Sequence, residues 1–216
     1  GEHDDFVSTL ENLGHTVISL DVSDPYDLAG QFYLWEIVIA VACGIIGVNA
    51  FDQPDVQDNK NRTKEKITRY QKNGVLEEPE AIWERGGTKV FGVDFDGLSS
   101  CESVGEVIEK FIKLSKDGDY IALNAYLPRN KNTKEKLQIL RNHILEESGK
   151  ATTLGFGPRF LHSTGQLHKG GANNGVFIQI TQDDPSDLQI PSMDYSFGIL
   201  ARAQALGDLE ALLARD

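Results

Sequence analysis

The sequence predicts an α/β fold in which a parallel sheet is flanked by helices in three layers. Short runs rich in β-branched and aromatic residues alternate with longer segments whose apolar residues recur at helical spacing. This alternation is typical of parallel sheets covered by helices. The length of 216 residues and the hydrophobic content of 40% indicate a globular chain with one large core or two small ones.

The amino-terminal part is predicted to hold a helix, a strand and a long apolar helix. Apolar residues at helical spacing over 6–13 stop at Gly14, and the β-branched run 16–20 is typical of a strand. Asp24 as N-cap and Pro25 at the first helical position begin the apolar helix. Because its apolar run is short for a bilayer and carries a glutamate, we expect a buried core helix and no membrane contact.

The next segment is predicted to be a charged, mostly exposed helix over 55–72, followed by a linker over 77–85. We place the domain boundary at the Gly86-Gly87 pair, so that residues 1–85 and 86–216 form separate modules. Beyond the boundary the pattern predicts strands at 88–93, 120–126, 151–154 and 176–181 and helices at 103–114, 133–147, 195–206 and 209–215.

Composition excludes several classes of partner. A net charge of −12 argues against nucleic acid, because affinity for a phosphate backbone depends on clustered Lys and Arg. The two cysteines imply no disulfide framework and fit a reducing cytoplasm. The Gly155-Phe156-Gly157 run continues into Pro158 and lacks the third glycine of a dinucleotide fingerprint, so we expect no nucleotide cofactor, and no metal is implied. We expect this chain to be a fragment of a longer protein.

Residues 162–171 crowd two histidines, two hydroxyls, an amide and an amine between glycines. Ser, Thr and Gln supply neutral hydrogen-bonding groups, Lys supplies a fixed charge, and His exchanges a proton near neutral pH. Such groups are suited to a sugar phosphate, although a solvated surface loop has the same composition. In an open parallel sheet this segment would follow a strand and lie at the edge where ligands bind.

Two segments resemble the glucose-6-phosphate isomerase family, which has the sugar isomerase (SIS) fold. The first is Asn49-Ala50-Phe51-Asp52-Gln53 with Lys60 seven positions later, and the second is His162-Ser163 followed by Gln166-Leu167-His168 and Gly170. With the runs 153–162 and 196–200, the chain is most similar to the isomerase part of bifunctional transaldolase/glucose-6-phosphate isomerases. The histidine segment follows the Phe-Asp-Gln turn here, whereas it precedes that turn in the ordinary isomerase.

The resemblance implies roles for individual residues. His162 would open the sugar ring, with His168 as the alternative, and Lys60 would assist ring opening or contact sugar oxygens. Gln53 would contact the phosphate, although it could equally cap the following helix. Glu147, in a Glu-Ser-Gly-Lys context, is a weak match to the family's carboxylate base, which we expect to lie outside this fragment. Further candidates for substrate binding are Arg159, Ser163, Thr164, Gln166 and Lys169.

The leading hypothesis is therefore the carboxyl-terminal part of a cytoplasmic glucose-6-phosphate isomerase, which we expect to be fused to a transaldolase in the complete protein and inactive alone. It would need no cofactor, and we expect a homodimer or larger homo-oligomer. The alternatives are a noncatalytic module that binds sugar phosphates and an oligomerisation module built on the apolar helix.

Overall fold

The structure is a computed structural model that describes residues 4–52, 54–183 and 186–215. The chain divides into two compact units, residues 1–52 and residues 53–216. Each unit is described by itself.

The first unit holds two helices, α1 (Asp4–Asn12) and α2 (Pro25–Ile46). The predicted start of α2 is confirmed, because the Asp24 side chain accepts hydrogen bonds from the backbone N–H groups of Tyr26 (2.7 Å) and Asp27 (3.1 Å). The Asp27 carboxylate in turn accepts from the backbone of Asp24. The helix ends at Gly47, whose left-handed φ of 77° closes its last turn.

The predicted strand at 16–20 is wrong. These residues form no regular structure, although their side chains favour strands. A strand needs a neighbour with which to exchange backbone hydrogen bonds, and the described residues of this unit form no other strand.

The expectation that α2 is buried is also wrong, since none of its residues is buried. The described part of its own unit offers only the nine-residue α1 and irregular chain as possible cover. By length and composition α2 is apolar enough to cross a membrane, a test that core helices of soluble proteins and leader sequences also pass.

The second unit alternates helices and strands. In chain order it contains α3 (Pro54–Asn73), β1 (Trp83–Arg85), β2 (Thr88–Val90), α4 (Val104–Ile112), β3 (Tyr120–Tyr126), α5 (Lys131–Ser148), β4 (Thr152–Phe156), α6 (Gly165–Gly170), β5 (Gly175–Thr181) and α7 (Phe197–Leu213), with two short 3-10 helices at Leu98–Ser100 and Arg159–His162.

The predicted parallel sheet with flanking helices is confirmed. Its order is β4-β3-β5, and both pairings are parallel. Strand β3 lies in the centre, with five consecutive buried residues, as expected for a parallel strand covered on both faces. Ile121 and Leu123 form a core with Ile112 of α4 and Ile144 of α5.

The strand predicted over 88–93 does not join this sheet; residues 88–90 form a separate hairpin instead, and residues 91–93 are irregular. Strand β2 pairs antiparallel with β1, and Gly86 and Gly87 make the turn with φ of 60° and 78°. Trp83 packs with Leu98, Cys101 and Val107 in a small core. The boundary predicted at 85/86 therefore falls within a hairpin turn, whereas the compact units divide at 52/53.

The carboxyl-terminal part is one helix, α7, where two short helices were predicted. The prediction used the Gly207-Asp208 pair as a break. In the structure Gly207 is buried inside the helix, and a Cβ atom there would lie only 3.2 Å from Thr63 Oγ1 and 3.3 Å from the Thr63 backbone nitrogen of α3. The glycine thus permits close packing of α3 on α7.

Gly155 of β4 makes a similar close approach that positions the next segment. A Cβ atom at this position would lie 2.8 Å from Cβ and 3.1 Å from Cγ of Phe160, which belongs to the 3-10 helix that ends at His162. The Phe160 ring also meets the Tyr126 ring edge-on, with ring centroids 5.6 Å apart. The side chain of Phe160 therefore fixes this short helix against the sheet.

We predict that Gly155→Ala destabilises the second unit by about 1–3 kcal/mol, because the added methyl group displaces the buried Phe160 side chain. The matched control is Gly105→Ala in α4, where a Cβ atom meets nothing closer than 3.7 Å and little stability is lost. Chemical unfolding of both variants measures the difference. Equal stability of the two would show that Phe160 does not constrain this glycine.

Candidate functional site

A pocket of about 400 Å³ opens in the second unit. Its walls come from α3, the 3-10 helix Arg159–His162, α6, α7 and the segment before α7. The structure brings Lys60 and His162, which are 102 positions apart in the sequence, to this same pocket. Both are exposed. The basic residues among the described lining are Lys60, Lys64, His162 and Lys169.

The pocket contrasts in charge with the chain as a whole. None of the described residues that line it is Asp or Glu, although the chain has a net charge of −12. Its neutral polar groups include Asn59, Tyr195 and Gln204, and Val56 and Leu161 add apolar surface. A small cavity that combines cations, hydrogen-bonding groups and apolar carbon is suited to an anion with a polar carbon skeleton.

Asn59 is a polar residue of the pocket wall that has an unused donor. It is only 5% exposed and lies in a buried stripe of α3 with Asp55, Thr63 and Ile67. Its side-chain Nδ2 has no hydrogen-bond partner among the described residues, although a buried donor normally has one. A ligand oxygen in the pocket would be a suitable partner for this amide.

Lys169, predicted to bind substrate, is held by a buried ion pair. Its Nζ pairs with the carboxylate of Asp208 in α7, and the two side chains are 1% and 0% exposed. Burial raises the pKa of Asp208, and the charge and hydrogen bond of Lys169 oppose that rise. Lys169 reaches the pocket wall, but its charge is balanced by Asp208, so the remaining lysines of the described lining, Lys60 and Lys64, supply the positive charge that a ligand can meet.

His168, the alternative candidate for ring opening, lies in the protein core. It is 8% exposed, and its ring packs between those of Phe177 (centroids 5.0 Å apart) and Phe160 (6.0 Å). Burial, with a smaller contribution from the charge of Lys169, lowers its pKa to about 4. A histidine that stays neutral and does not line the pocket is poorly placed for proton exchange there, whereas His162 lines it.

The polar residues that follow His162 use their side chains locally. The hydroxyls of Ser163 and Thr164 each donate to the carbonyl of Phe160 at 3.3 Å, which closes the 3-10 helix. Arg159 is exposed at the start of the same helix. The segment predicted as a glycine-rich loop is therefore largely helical, and these three residues lie outside the pocket lining.

Gln166 is also committed to a protein partner. Its Nε2 donates to Asp55 Oδ2 at 2.6 Å, and its Oε1 accepts from the Asp55 backbone N–H at 3.2 Å. The amide thus joins α6 to the start of α3.

Of the two remaining candidates, only Glu147 is among the described residues, and it lies outside the pocket lining. Glu147 lines a different groove of about 370 Å³ between α4 and α5, where His143 is another lining residue. Gln53 lies outside the described residues. The expected carboxylate base is thus not brought to the pocket by Glu147.

Sequence reasoning missed Asp55, Asn59 and Asp208. The first two recur with Thr63 and Ile67 at a spacing of four, which places polar residues on the buried face of a helix. Asp208 follows a glycine in an otherwise apolar stretch, a pattern that was taken for a helix end. The described residues contain no group of three or more His, Cys, Asp and Glu side chains that could hold a metal ion.

Comparison with known proteins does not assign the chain. No family model matches it, and no curated protein or solved structure matches it.

We predict that Lys169→Met destabilises the second unit by about 3–5 kcal/mol at neutral pH, because it leaves the Asp208 carboxylate buried and unpaired. Because burial raises the pKa of Asp208 above its unfolded value, ionisation of that group opposes folding, and the loss grows as the pH rises from about 4. Lys66→Met is the control, since it removes a 2.5 Å pair to the half-exposed Glu210 and costs about 1 kcal/mol or less. Equal losses in urea unfolding would contradict the assignment.

We predict that neutral His168 makes stability depend on pH. The pKa of His168 in the folded protein, about 4, lies below the ordinary histidine value of 6.5, so its contribution to stability is present above about pH 6.5 and is lost as the pH falls toward 4. The loss amounts to about 3 kcal/mol. His168→Phe should flatten this part of the profile of unfolding free energy against pH, whereas His143→Gln on exposed α5 should leave it unchanged. An unaltered profile in His168→Phe would refute the interpretation.

Proposed function

We propose that this chain supplies part of the active site of a sugar phosphate isomerase, acting on glucose 6-phosphate and fructose 6-phosphate. The observation that carries the proposal is that Lys60 and His162, selected separately from two sequence segments, line one pocket. The resemblance to the glucose-6-phosphate isomerase family, with its SIS fold, supports the reaction class. The proposal includes a cytoplasmic protein that needs no cofactor and is fused to a transaldolase.

The charge of the pocket supports an anionic substrate. In a chain of net charge −12, long-range attraction of a phosphate is unfavourable, so local cations must provide it. Lys60 and Lys64 lie one helical turn apart on α3 and present two ammonium groups to the same cavity. Asn59 and Tyr195 add neutral groups that are suited to sugar hydroxyls.

The side chains at the pocket can perform ring opening. His162 is exposed at the pocket, and an imidazole can act as a general acid, so in this proposal His162 donates to the ring oxygen as the ring opens. An ammonium group beside the substrate stabilises negative charge that develops on a sugar oxygen, which is the role proposed for Lys60. The later proton transfer between neighbouring carbons needs a base that we place in another part of the protein or in a second subunit.

A noncatalytic module that binds sugar phosphates is the second candidate. One observation favours it: the described pocket lining contains no carboxylate, the group that the proton transfer between carbons requires. Binding without turnover would support this function.

We predict that Lys60→Met weakens binding of glucose 6-phosphate about ten- to hundredfold, because it removes a charged hydrogen-bond donor from the pocket. Isothermal titration calorimetry measures the change. Lys134→Met, at an exposed position of α5 far from the pocket lining, is the matched control and should bind as the unaltered chain does.

Catalysis is tested with His162→Asn in the longest natural protein that contains this chain. We expect the rate of conversion to fructose 6-phosphate to fall about 10²- to 10⁴-fold while binding is largely retained. His143→Gln is the control. Full turnover in His162→Asn would overturn the catalytic role, and unchanged affinity in Lys60→Met would overturn the binding site.

A further inference from the structure

We propose that Asp55, Gln166 and Arg215 form a polar clamp that fixes the segment carrying His162 against the helix carrying Lys60. The clamp positions these two residues and does not itself touch the substrate. Any role of the clamp in a reaction rests on the proposed function, whereas its effect on the local structure does not.

The clamp joins three parts of the second unit that are distant in sequence. Both groups of the Gln166 side-chain amide bond to Asp55, one to its carboxylate at 2.6 Å and one to its backbone N–H at 3.2 Å. The other carboxylate oxygen of Asp55 pairs with the Arg215 guanidinium that follows α7. The Gln166 oxygen thus accepts one hydrogen bond from Asp55, and the Gln166 nitrogen donates one to the same residue.

Burial makes the Asp55 carboxylate sensitive to the loss of its hydrogen-bond donors. Asp55 is only 6% exposed, so its carboxylate has lost most of its water and depends on these donors. Hydrogen bonds to a charged group are stronger than those between neutral groups. Removing either donor therefore leaves a buried charge with incomplete compensation, and the segments on either side lose their common anchor.

The clamp lies next to the residues that it positions. Lys60 is five residues after Asp55 on α3, a rise of about 7.5 Å along the helix axis. His162 is four residues before Gln166, and the two are connected by the 3-10 helix and the first turn of α6. A shift at the Asp55–Gln166 bond would therefore change the separation of Lys60 and His162 directly.

Two neighbouring features confine the clamp further. A Cβ atom at Gly170 would overlap Asp55 Oδ2 and would lie 2.6 Å from Gln166 Nε2, so only glycine allows α6 to approach this closely. The side-chain amide of Asn173, just after α6, donates to the backbone carbonyl of Arg215 at 2.7 Å. Arg215, just after α7, is thus bound to Asp55 by its side chain and to Asn173 by its backbone.

The experiment compares Gln166→Glu with the double variant Asp55→Asn, Gln166→Glu. The single change sets two carboxylates against each other, whereas the double change restores a donor and an acceptor with nearly the same shapes. Gln182→Glu, at an exposed position after β5 and outside the pocket lining, is the control for an added negative charge. Hydrogen–deuterium exchange of the amides of residues 159–170 is the main measurement, because it reports local opening.

We expect exchange in residues 159–170 to become about tenfold faster in Gln166→Glu and to return close to the original rate in the double variant. Strand β3 should change less in all variants. Unchanged exchange in Gln166→Glu, or the same acceleration in β3 as in residues 159–170, would overturn the clamp.

Binding of inorganic phosphate by the same variants separates this proposal from the proposed function. We expect affinity about tenfold weaker in Gln166→Glu, restored in the double variant and unchanged in Gln182→Glu. A thermal denaturation midpoint that falls in Gln166→Glu without any change in phosphate affinity would show a purely structural pair and overturn the positioning role. If the unaltered chain binds neither phosphate nor glucose 6-phosphate, the proposed function fails, while the exchange rates still decide whether the clamp exists.

Discussion

The buried ion pair between Lys169 and Asp208 is the interaction on which the architecture around the pocket depends. Removing both charges from water is costly, and the cost is recovered only when the two groups meet with good geometry. The pair therefore tolerates little variation in the spacing of α6 and α7. Gly207, next to Asp208, brings α3 against the same helix. Three helices that all contribute to the pocket wall are thus held by polar contacts and close packing at one junction.

This junction also determines the charge of the pocket. Asp208 balances Lys169, so the positive charge available to a ligand comes from Lys60 and Lys64 on one helix of the wall. His168 is buried among aromatic rings, and its low pKa keeps it neutral at physiological pH. Of the two neighbouring histidines, only His162 lines the cavity. A dense cluster of polar residues therefore divides into a structural set and a smaller set that faces the pocket.

The sequence predicted the elements whose signals are local. Strand β3 matches its predicted range, and Asp24, Pro25 and Gly47 mark the ends of α2 as capping chemistry requires. The predictions that failed concerned elements whose structure depends on which other segments lie beside them in the fold. Residues 16–20 favour a strand but have no strand beside them in the described part of their unit. The Gly207-Asp208 pair is typical of a helix end in sequence, and only the packing of α3 on α7 explains why the helix continues through it. The sequence pattern of one segment does not show which other segments pack against it in the fold.

The same limit applies to the site. The residue types around His162 predicted polar chemistry, and Lys60 and His162 do line one pocket. The sequence did not reveal that Gln166 bonds to Asp55 or that Lys169 pairs with Asp208, because those partners are 111 and 39 positions away. Several residues near His162 have side chains that suit a ligand. Only their burial and their partners in the fold show which of them are available to bind one.

The central claim is that Lys60 and His162 belong to one anion-binding site. The most direct measurement is a nuclear magnetic resonance titration with glucose 6-phosphate that follows the Lys60 side-chain ammonium and the His162 imidazole. The account predicts that both signals shift with a single dissociation constant, while the buried His168 imidazole shifts much less. Shifts with two different dissociation constants, or a Lys60 signal that moves while His162 does not, would contradict it.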